Sequence, residues 1–407
     1  MEYHDSERAG ELAAEIRTFV DEVVLPVERE WLGNGPVEGS VIGDLREEAR
    51  ERGIYGPQLP EEYGGLGFGF RDLLPTFEQA GRSLLAQAAL RVDAPDEGNM
   101  HLLELVGTEE QKGRWLRPLA EAESRSAFSM TEPMQGGGSD PKMLRTEARQ
   151  EGDEWVIDGH KWWTTQGSEA DVLIVFARTD HDAHPSEGCS TFLVPADADG
   201  VEIVRDIPHV GETLLGTSHA EITYDGVRVP EENVLGELHD GFGLVQRRLG
   251  PARLTHCMRY SGMAERALEV AKAYASEREA FGEPLSEKQS ARFAVAEAET
   301  QLHAIRTMVR HAAREIEGGS EARIEVAMCK SYAAEAVQEA IDTAVQLCGG
   351  AGISRDLPLG DFYESVRQFR IIDGADEVHK RSIAREAFSE VETSELDGLV
   401  RYGDPSG

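Results

Sequence analysis

The sequence is poor in lysine and cysteine and has no long apolar run. Only seven of its 407 residues are lysines, against 34 arginines, and its four cysteines lack the spacing of a zinc site or a disulfide framework. No apolar stretch approaches the roughly 20 residues that a membrane-spanning helix needs. The first residues also lack the basic and then apolar layout of a signal peptide. These absences predict a cytoplasmic protein with no integral membrane association and no metal site.

Positive charge is scarce as well. The chain has 76 acidic and 41 basic residues, a formal net charge of −35 and a pI near 4.7. Such a chain repels phosphate backbones, which argues against nucleic-acid binding. The acidic, lysine-poor composition favours a salt-adapted prokaryotic cytoplasm, because about 1 M salt shortens the Debye length to about 3 Å. An ordinary acidic protein is the alternative interpretation.

Three zones with different residue patterns divide the chain. Residues 1–125 are mostly helical in pattern. Residues 126–235 contain short strand-like runs, such as EWVIDGHKWWTT (154–165), without long helices between them, which predicts an antiparallel sheet or barrel. Residues 236–395 repeat apolar positions at three and four residues, for example at Leu302, Ile305 and Val309, which predicts a helical bundle. Residues 396–407 form an acidic tail. The predicted fold class is therefore α+β and multidomain.

Two local patterns make more specific predictions. The dipeptides Asp158-Gly159 and Asp225-Gly226 favour tight hairpin turns. Ser286 followed by Gln289 is typical of a capping box that opens a helix. Neither pattern carries chemistry by itself, and generic searches for a dinucleotide fingerprint, a phosphate loop or a catalytic triad find nothing with the required spacing.

Five stretches, taken together, resemble the acyl-CoA dehydrogenase family in order and separation. They are SAFSMTEP (126–133) with Ser139 shortly after it, DGHKWWTT (158–165), REAFGEPL (278–285), VQLCGGAGI (345–353) and RIIDGADEVH (370–379). The last stretch, with residues 249–268, is closest to the subgroup found as the C-terminal part of larger human members. The resemblance covers about residues 10–390. It implies an N-terminal helical domain, a central β-barrel domain, a C-terminal four-helix bundle and a bound FAD.

The resemblance implies that Asp373 is the catalytic base. It stands where the family usually has a glutamate before a glycine, and it would remove the α-proton of an acyl-CoA thioester while the flavin accepts the β-hydride. Taken alone, Asp373-Gly374 is more often a turn. Residues 250–252, where some relatives carry the base, contain no carboxylate. Packing beside the flavin and the acyl chain would desolvate Asp373 and raise its pKa, and Gly374 would let the thioester approach the main chain.

The same resemblance implies contacts with the flavin ring and the substrate. Met130 and Thr131 match positions at the ring, and Ser139 matches a serine that bridges flavin and acyl-CoA. Trp163 matches an aromatic packed on the ring, and Thr165 a hydroxyl that reaches its reactive nitrogen. Because strand side chains alternate, the neighbouring Trp162 would face the other way, and a half-buried strand without a cofactor is the alternative.

Other matches surround the phosphate and adenine end of FAD. Arg278 and Phe281 match residues that hold this end from a neighbouring subunit, and arginine suits a diphosphate. Gln289 would join them, or serve only in the capping box. The remaining implied cofactor residues are Gln346, Gly349, Gly350 and Glu377. Arg253 matches an arginine near the thioester and the base, with a helix-surface ion pair as the alternative.

The implied function is FAD-dependent α,β-dehydrogenation of an acyl-CoA in fatty-acid metabolism. An electron-transfer flavoprotein would accept the electrons, and the protein would be a homodimer or homotetramer. Two alternatives remain open: a flavin oxidase of the same fold, acting on an acyl-CoA or a nitroalkane, and a catalytically silent flavin-binding homologue.

Overall fold

The computed structural model describes residues 5–134, 136–138, 140–211 and 214–389. Helices at both ends of this part of the chain pack around a central sheet. The predicted acidic tail (396–407) and Ser139 lie outside the described residues. No helix in the described part is both long and apolar enough to cross a membrane.

The first zone is helical, as its pattern predicts. Ser6 caps the first helix, where its hydroxyl accepts a hydrogen bond from the N–H of Ala9. The helices of this zone are α1 (Glu7–Phe19), α2 (Leu25–Trp31), α3 (Gly39–Glu51), α4 (Phe70–Gly81), α5 (Leu84–Ala89), α6 (Asp96–Val106), α7 (Glu109–Gln111) and α8 (Arg117–Ala120).

The second zone forms one sheet of eight strands in the order β6-β7-β3-β2-β4-β5-β8, with β1 paired to β4. The strands are β1 (Ser126–Ser129), β2 (Glu147–Glu151), β3 (Glu154–Thr165), β4 (Val172–Arg178), β5 (Cys189–Pro195), β6 (Val201–Asp206), β7 (His219–Pro230) and β8 (Val234–Leu235). Most pairs are antiparallel, but β4 pairs in parallel with β1 and, at Glu147 and Arg178, with β2. The sheet is therefore mixed. The chain between β1 and β4 contains the β2–β3 hairpin and is long enough for the crossover that a parallel pair requires.

The predicted Asp-Gly hairpins are wrong. Asp158 lies inside β3 and Asp225 inside β7, where the pairing of the two strands shifts register. The Asp158 carboxylate accepts a hydrogen bond from the N–H of Gly226 at 2.7 Å, and Gly226 has a positive φ of 62°. The two dipeptides therefore meet at one irregularity of a long strand pair, where glycine supplies the conformation that a bulge needs.

The third zone contains the long helices of the bundle. They are α9 (Gly241–Glu277), α10 (Gln289–Glu317), α11 (Arg323–Cys348), α12 (Leu359–Phe369) and α13 (Asp376–Ser389), with the short strands β9 (Glu279–Ala280) and β10 (Glu283–Pro284) between α9 and α10. The predicted apolar stripe of α10 is buried at Leu302, Ile305 and Val309. The predicted capping box is wrong: a 3₁₀ turn precedes the helix, and no side chain caps α10 at Lys288.

A close crossing of α4 and α9 fixes the position of the bundle against the N-terminal helices. A Cβ atom at Gly262 of α9 would lie 1.8 Å from the carbonyl oxygen of Glu78, and one at Gly81 of α4 would lie 2.0 Å from that of Arg259. Only glycine allows two helix backbones to approach this closely. The crossing matters for the site because α9 carries several of its residues.

Candidate active site

A cleft with a volume of about 2360 Å³ lies between the sheet, the N-terminal helices and the bundle. It is larger than the roughly 300–1,000 Å³ of a pocket for one drug-sized ligand. Seven of the predicted site residues line it, and we call them the cleft group: Met130, Thr131, Trp163, Thr165, Arg253, Asp373 and Gly374.

The sheet supplies one wall of the cleft. Met130 and Thr131 directly follow β1, and Trp163 lies near the end of β3. Trp163 has a positive φ of 55° and sits where the pairing of β3 with β7 shifts register, so its ring turns outward and is 41% exposed. The Thr165 hydroxyl lies 3.0 Å from Nδ1 of His219, whose ring contacts that of Trp163. This wall therefore presents an open aromatic face beside polar groups.

The bundle supplies the opposite wall through the turn between α12 and α13. Asp373 lies in this turn with a positive φ of 54°, followed by Gly374 at 98°. Two side chains hold the main-chain carbonyl of Asp373: Nε of Arg253 donates to it at 2.8 Å, and Nε2 of His379 lies 3.2 Å away. The predicted Asp-Gly turn and the predicted approach of Arg253 thus occur in the same place.

The carboxylate of Asp373 is largely buried and only partly satisfied. Nδ1 of His256 lies 3.3 Å from Oδ2, but it lies closer, at 2.7 Å, to the carbonyl oxygen of Ala252. Because a carbonyl can only accept, Nδ1 carries the hydrogen and directs it at Ala252. Oδ2 of Asp373 consequently has no hydrogen-bond partner among the described residues. A buried carboxylate oxygen in this state is free to bind a proton or a ligand.

The charges around Asp373 lower its pKa. Burial alone would raise it, but the basic side chains of His256, Arg253, Arg248 and Lys330 outweigh burial and hold the pKa below its ordinary value. In the chain itself the pKa is thus lowered, because the same folding that buries the carboxylate also brings basic side chains to it; the raised pKa expected beside flavin and acyl chain stays a prediction. Burial lowers the pKa of His256 to about 4, so at neutral pH the two arginines and the lysine supply the charge.

The other predicted cofactor residues lie away from the cleft. All seven are in the described part of the chain and exposed, and Phe281 reaches 96% exposure. Except for Glu377, they lie where α9 ends, α10 begins and α11 ends. We call them the outer group: Arg278, Phe281, Gln289, Gln346, Gly349, Gly350 and Glu377. Glu377, at the start of α13, is close in the chain to the cleft group without lining the cleft, and a single chain does not bring the other six to that group.

Sequence reasoning missed His256 and Arg248. Nε of the buried Arg248 donates to Asn99 at 2.9 Å, and its guanidinium lies 4.4 Å from the centre of the Phe128 ring. The sequence does contain a signal for His256. Arg253, His256 and Tyr260 are spaced by three and four residues and therefore share one face of α9. Three polar side chains on one helix face are a local signal of a shared role.

Sequence models of three domains match this chain. The N-terminal, middle and C-terminal domains of acyl-CoA dehydrogenases match residues 6–123, 127–227 and 239–388. The chain is 40% identical to the probable acyl-CoA dehydrogenase FadE2 of Mycobacterium tuberculosis, over 96% of this chain and 97% of that protein. It is 35% identical to human acyl-CoA dehydrogenase family member 11, over 93% of this chain. The chain spans only 50% of that human protein.

Solved structures have the same fold. A glutaryl-coenzyme A dehydrogenase in complex with glutaryl-CoA superimposes with a TM-score of 0.84 and 29% identity, over 96% of this chain and 97% of that one. A glutaryl-CoA dehydrogenase from Mycobacterium smegmatis in complex with FADH2 gives a TM-score of 0.83 and 25% identity, over 95% and 96% of the two chains. These complexes contain a thioester substrate and a reduced flavin.

Proposed function

The chain belongs to the acyl-CoA dehydrogenase family, and from this premise we propose that it oxidises an acyl-CoA thioester to the 2-enoyl-CoA. Its cofactor is FAD, in keeping with its flavoprotein neighbours. When bound, FAD supplies the acceptor for the β-hydride. The predicted fold class and family are confirmed by the matches; the reaction and its substrate are the proposal.

The residues of the cleft fit this cofactor. The exposed face of Trp163 offers a stacking surface for a flat ring. The segment of Met130 and Thr131 runs beside it, because the N–H of Trp162 donates to the main-chain carbonyl of Thr131 at 2.9 Å. The cleft is also too large for one small ligand, as a site for both a dinucleotide and a thioester must be. These three features would hold the flavin ring on the sheet side of the cleft.

One observation carries the proposal: Oδ2 of Asp373 is buried, next to the cleft, and without a hydrogen-bond partner among the described residues. Its lowered pKa keeps Asp373 ionised at neutral pH, so it can accept the α-proton of a substrate. Arg253 holds the main chain of Asp373 by its carbonyl and so fixes where the short side chain can reach. Asp373 is therefore the proposed base.

The exposure of the outer group is the reason that the proposal includes an oligomer. An aromatic that is 96% exposed, next to an exposed arginine, is suited to a phosphate-bearing ligand that another subunit presents. We assign Arg278, Phe281, Gln346, Gly349 and Gly350 to the FAD of a neighbouring copy, in a homodimer or homotetramer. An electron-transfer flavoprotein is the proposed electron acceptor.

The direct experiment is anaerobic reduction of the FAD-loaded protein by acyl-CoAs of graded chain length. Bleaching of the flavin absorbance is expected with one or more of them, and Asp373→Asn should retain FAD while its bleaching rate falls about 10²–10⁴-fold. Asp153→Asn, in the exposed turn between β2 and β3, is the matched control and should bleach like the parent.

Three outcomes would contradict the proposal. Bleaching by nitroalkanes alone would indicate an oxidase of the other substrate class. Fast reoxidation by oxygen, with none by an electron-transfer flavoprotein, would indicate an acyl-CoA oxidase. An Asp373→Asn variant with full activity would place the base elsewhere.

A further inference from the structure

Lysine is scarce in this chain, and its burial is uneven. All seven lysines lie in the described residues, and two of them, Lys161 on β3 and Lys330 on α11, have no solvent exposure. The other five are partly or fully exposed. Because an ammonium group is costly to bury, these two positions require a physical reason.

Lys161 binds the segment that follows β1. Its Nζ donates to the carbonyl oxygen of Met130 at 2.8 Å and lies 3.2 Å from a carboxylate oxygen of Glu132. That carboxylate in turn accepts from the N–H groups of Gly137 and Thr146, both at 2.7 Å. One lysine thus holds the main chain at the cleft and, through Glu132, the connection from β1 to β2. Burial lowers the pKa of Lys161 only to about 8, so it is charged at pH 7.

Lys330 does the same for the turn between α12 and α13. Its Nζ donates to the carbonyl oxygen of Gly374 at 2.8 Å and lies 3.4 Å from Oδ1 of Asp376. The other carboxylate oxygen of Asp376 accepts from Nε of Arg370 at 2.7 Å. The ammonium also lies 5.2 Å from the centre of the Phe369 ring. Gly374 directly follows Asp373, the proposed base, so Lys330 holds the main chain next to that base.

The two sites share one geometry. Each lysine donates to the main-chain carbonyl of a cleft residue and pairs with the carboxylate two positions further along the chain. Stability alone does not account for this arrangement, since replacing a buried ion pair by apolar side chains of similar volume is often neutral or stabilising. What an apolar side chain cannot do is hold a carbonyl in one direction.

We propose that Lys161 and Lys330 are positioning residues, each of which fixes the main chain of one wall of the reaction centre. Lys161 orients Met130 and Thr131 on the sheet side, and Lys330 orients Asp373 and its neighbour on the bundle side. The inference rests on the proposed role of Asp373. The contacts themselves, and their test by hydrogen exchange, do not require the reaction.

The decisive variant is Lys330→Met combined with Asp376→Asn. The pair removes both charges, so no buried ion is left without a partner, and the amide introduced by Asp376→Asn still offers an oxygen to Arg370. We expect a melting temperature close to that of the parent, but about tenfold faster hydrogen–deuterium exchange in residues 370–376, with the rest of the bundle unchanged. In the FAD-loaded protein, the bleaching rate should fall about 100-fold with little change in KM, because the base is misplaced rather than removed.

Two single variants refine the test. Lys330→Gln keeps an N–H donor without the charge, and it should recover part of the rate that the double variant loses. Lys161→Met should leave exchange in residues 370–376 unchanged, while it speeds exchange around residues 130–134 and shifts the flavin absorbance maximum. Lys272→Met, an exposed lysine of α9, is the matched control and should resemble the parent in every measurement.

Either of two results would overturn the inference. A double variant that exchanges and bleaches like the parent would show that the lysine positions nothing. A double variant that fails to fold, or exchanges faster throughout the bundle, would show that the lysine acts on general stability. If acyl-CoAs do not bleach the parent protein, the proposed function fails, but hydrogen exchange still decides the role of each lysine.

Discussion

The cleft group and the outer group were both inferred from one family resemblance, yet the fold gathers the first group in one cleft and leaves the second exposed on the surface. The seven cleft residues come from β1, β3, α9 and the turn before α13, and the chain's own packing brings them together. The seven outer residues are exposed in the same chain. A single chain therefore brings one half of the predicted site together, and for the other half we propose a second copy of the chain. Four predictions test this division.

The largest expected effect is on the outer group. Phe281→Asp places a charge where the proposal buries an aromatic ring, whose burial contributes about 1.5–3 kcal/mol. We expect FAD affinity to fall about 100-fold and the oligomer to dissociate, with the fold intact, because the side chain is 96% exposed in the monomer. Light scattering measures the oligomeric state, and the ratio of flavin to protein absorbance measures how much FAD is bound. Phe388→Asp, at another exposed aromatic, is the control, and equal losses in both variants would contradict the assignment.

The next effect concerns the pH dependence of the cleft group. In His256→Leu an apolar side chain replaces the polar imidazole that lies 3.3 Å from Oδ2 of Asp373, which deepens the desolvation of the ionised carboxylate, so its pKa rises. The base works when ionised, so the acid limb of the bleaching rate should move to higher pH by about one unit. His256→Asn, which retains an N–H donor, should move it less. His379→Gln touches only the carbonyl of Asp373, and an equal shift in that variant would contradict the mechanism.

A smaller effect is expected on stability in acid. Burial is the main cause that lowers the pKa of His219, His256 and His379, each to about 4 from an ordinary 6.5. Between pH 6.5 and 4 the unfolded chain binds protons that the folded chain does not, so the free energy of unfolding falls as the pH falls. Each histidine contributes at most about 1.4 kcal/mol per pH unit. Calorimetry should show a melting temperature that declines below pH 6.5, and a shallower decline in His219→Gln.

The smallest effect separates the two roles considered for Gln289. Since no side chain caps α10, Gln289→Ala should change the free energy of unfolding by less than about 0.5 kcal/mol. Any effect should appear in FAD retention alone. A loss of stability of about 1 kcal/mol, the usual value of a helix cap, would restore the capping interpretation.

Regular elements were predictable because their signals are local. The run EWVIDGHKWWTT coincides with β3 (Glu154–Thr165), and the apolar stripe of α10 is buried as its spacing requires. The Asp-Gly pairs failed for the opposite reason. A dipeptide typical of a hairpin can equally form a bulge when a partner strand lies opposite, as Gly226 lies opposite Asp158. The partner strand is not encoded in the dipeptide.

The pKa of the candidate base likewise depends on residues that are distant in the sequence. The resemblance identified Asp373, and the structure sets its carboxylate beside the cleft. The direction of its pKa shift differs from the prediction because only burial was considered: Arg253 was expected near the base, but its charge was not weighed, and Arg248 and His256 were missed. Arg248 and Arg253 are more than 100 residues away in the chain, and only the packing of α9 against the α12–α13 turn brings them to Asp373.

The sequence by itself determined the order of helices, strands and bundle, which follows from the local periodicity of its side chains. The family follows from stretches that resemble it in order and separation, and the site residues carried over from that resemblance stay predictions. Tertiary structure decided which of those residues meet, how Asp373 is charged and held, and which residues are left on the outside. The reason is physical: electric fields and hydrogen bonds depend on distance in space, and distance in space is fixed only when the helices and the sheet pack.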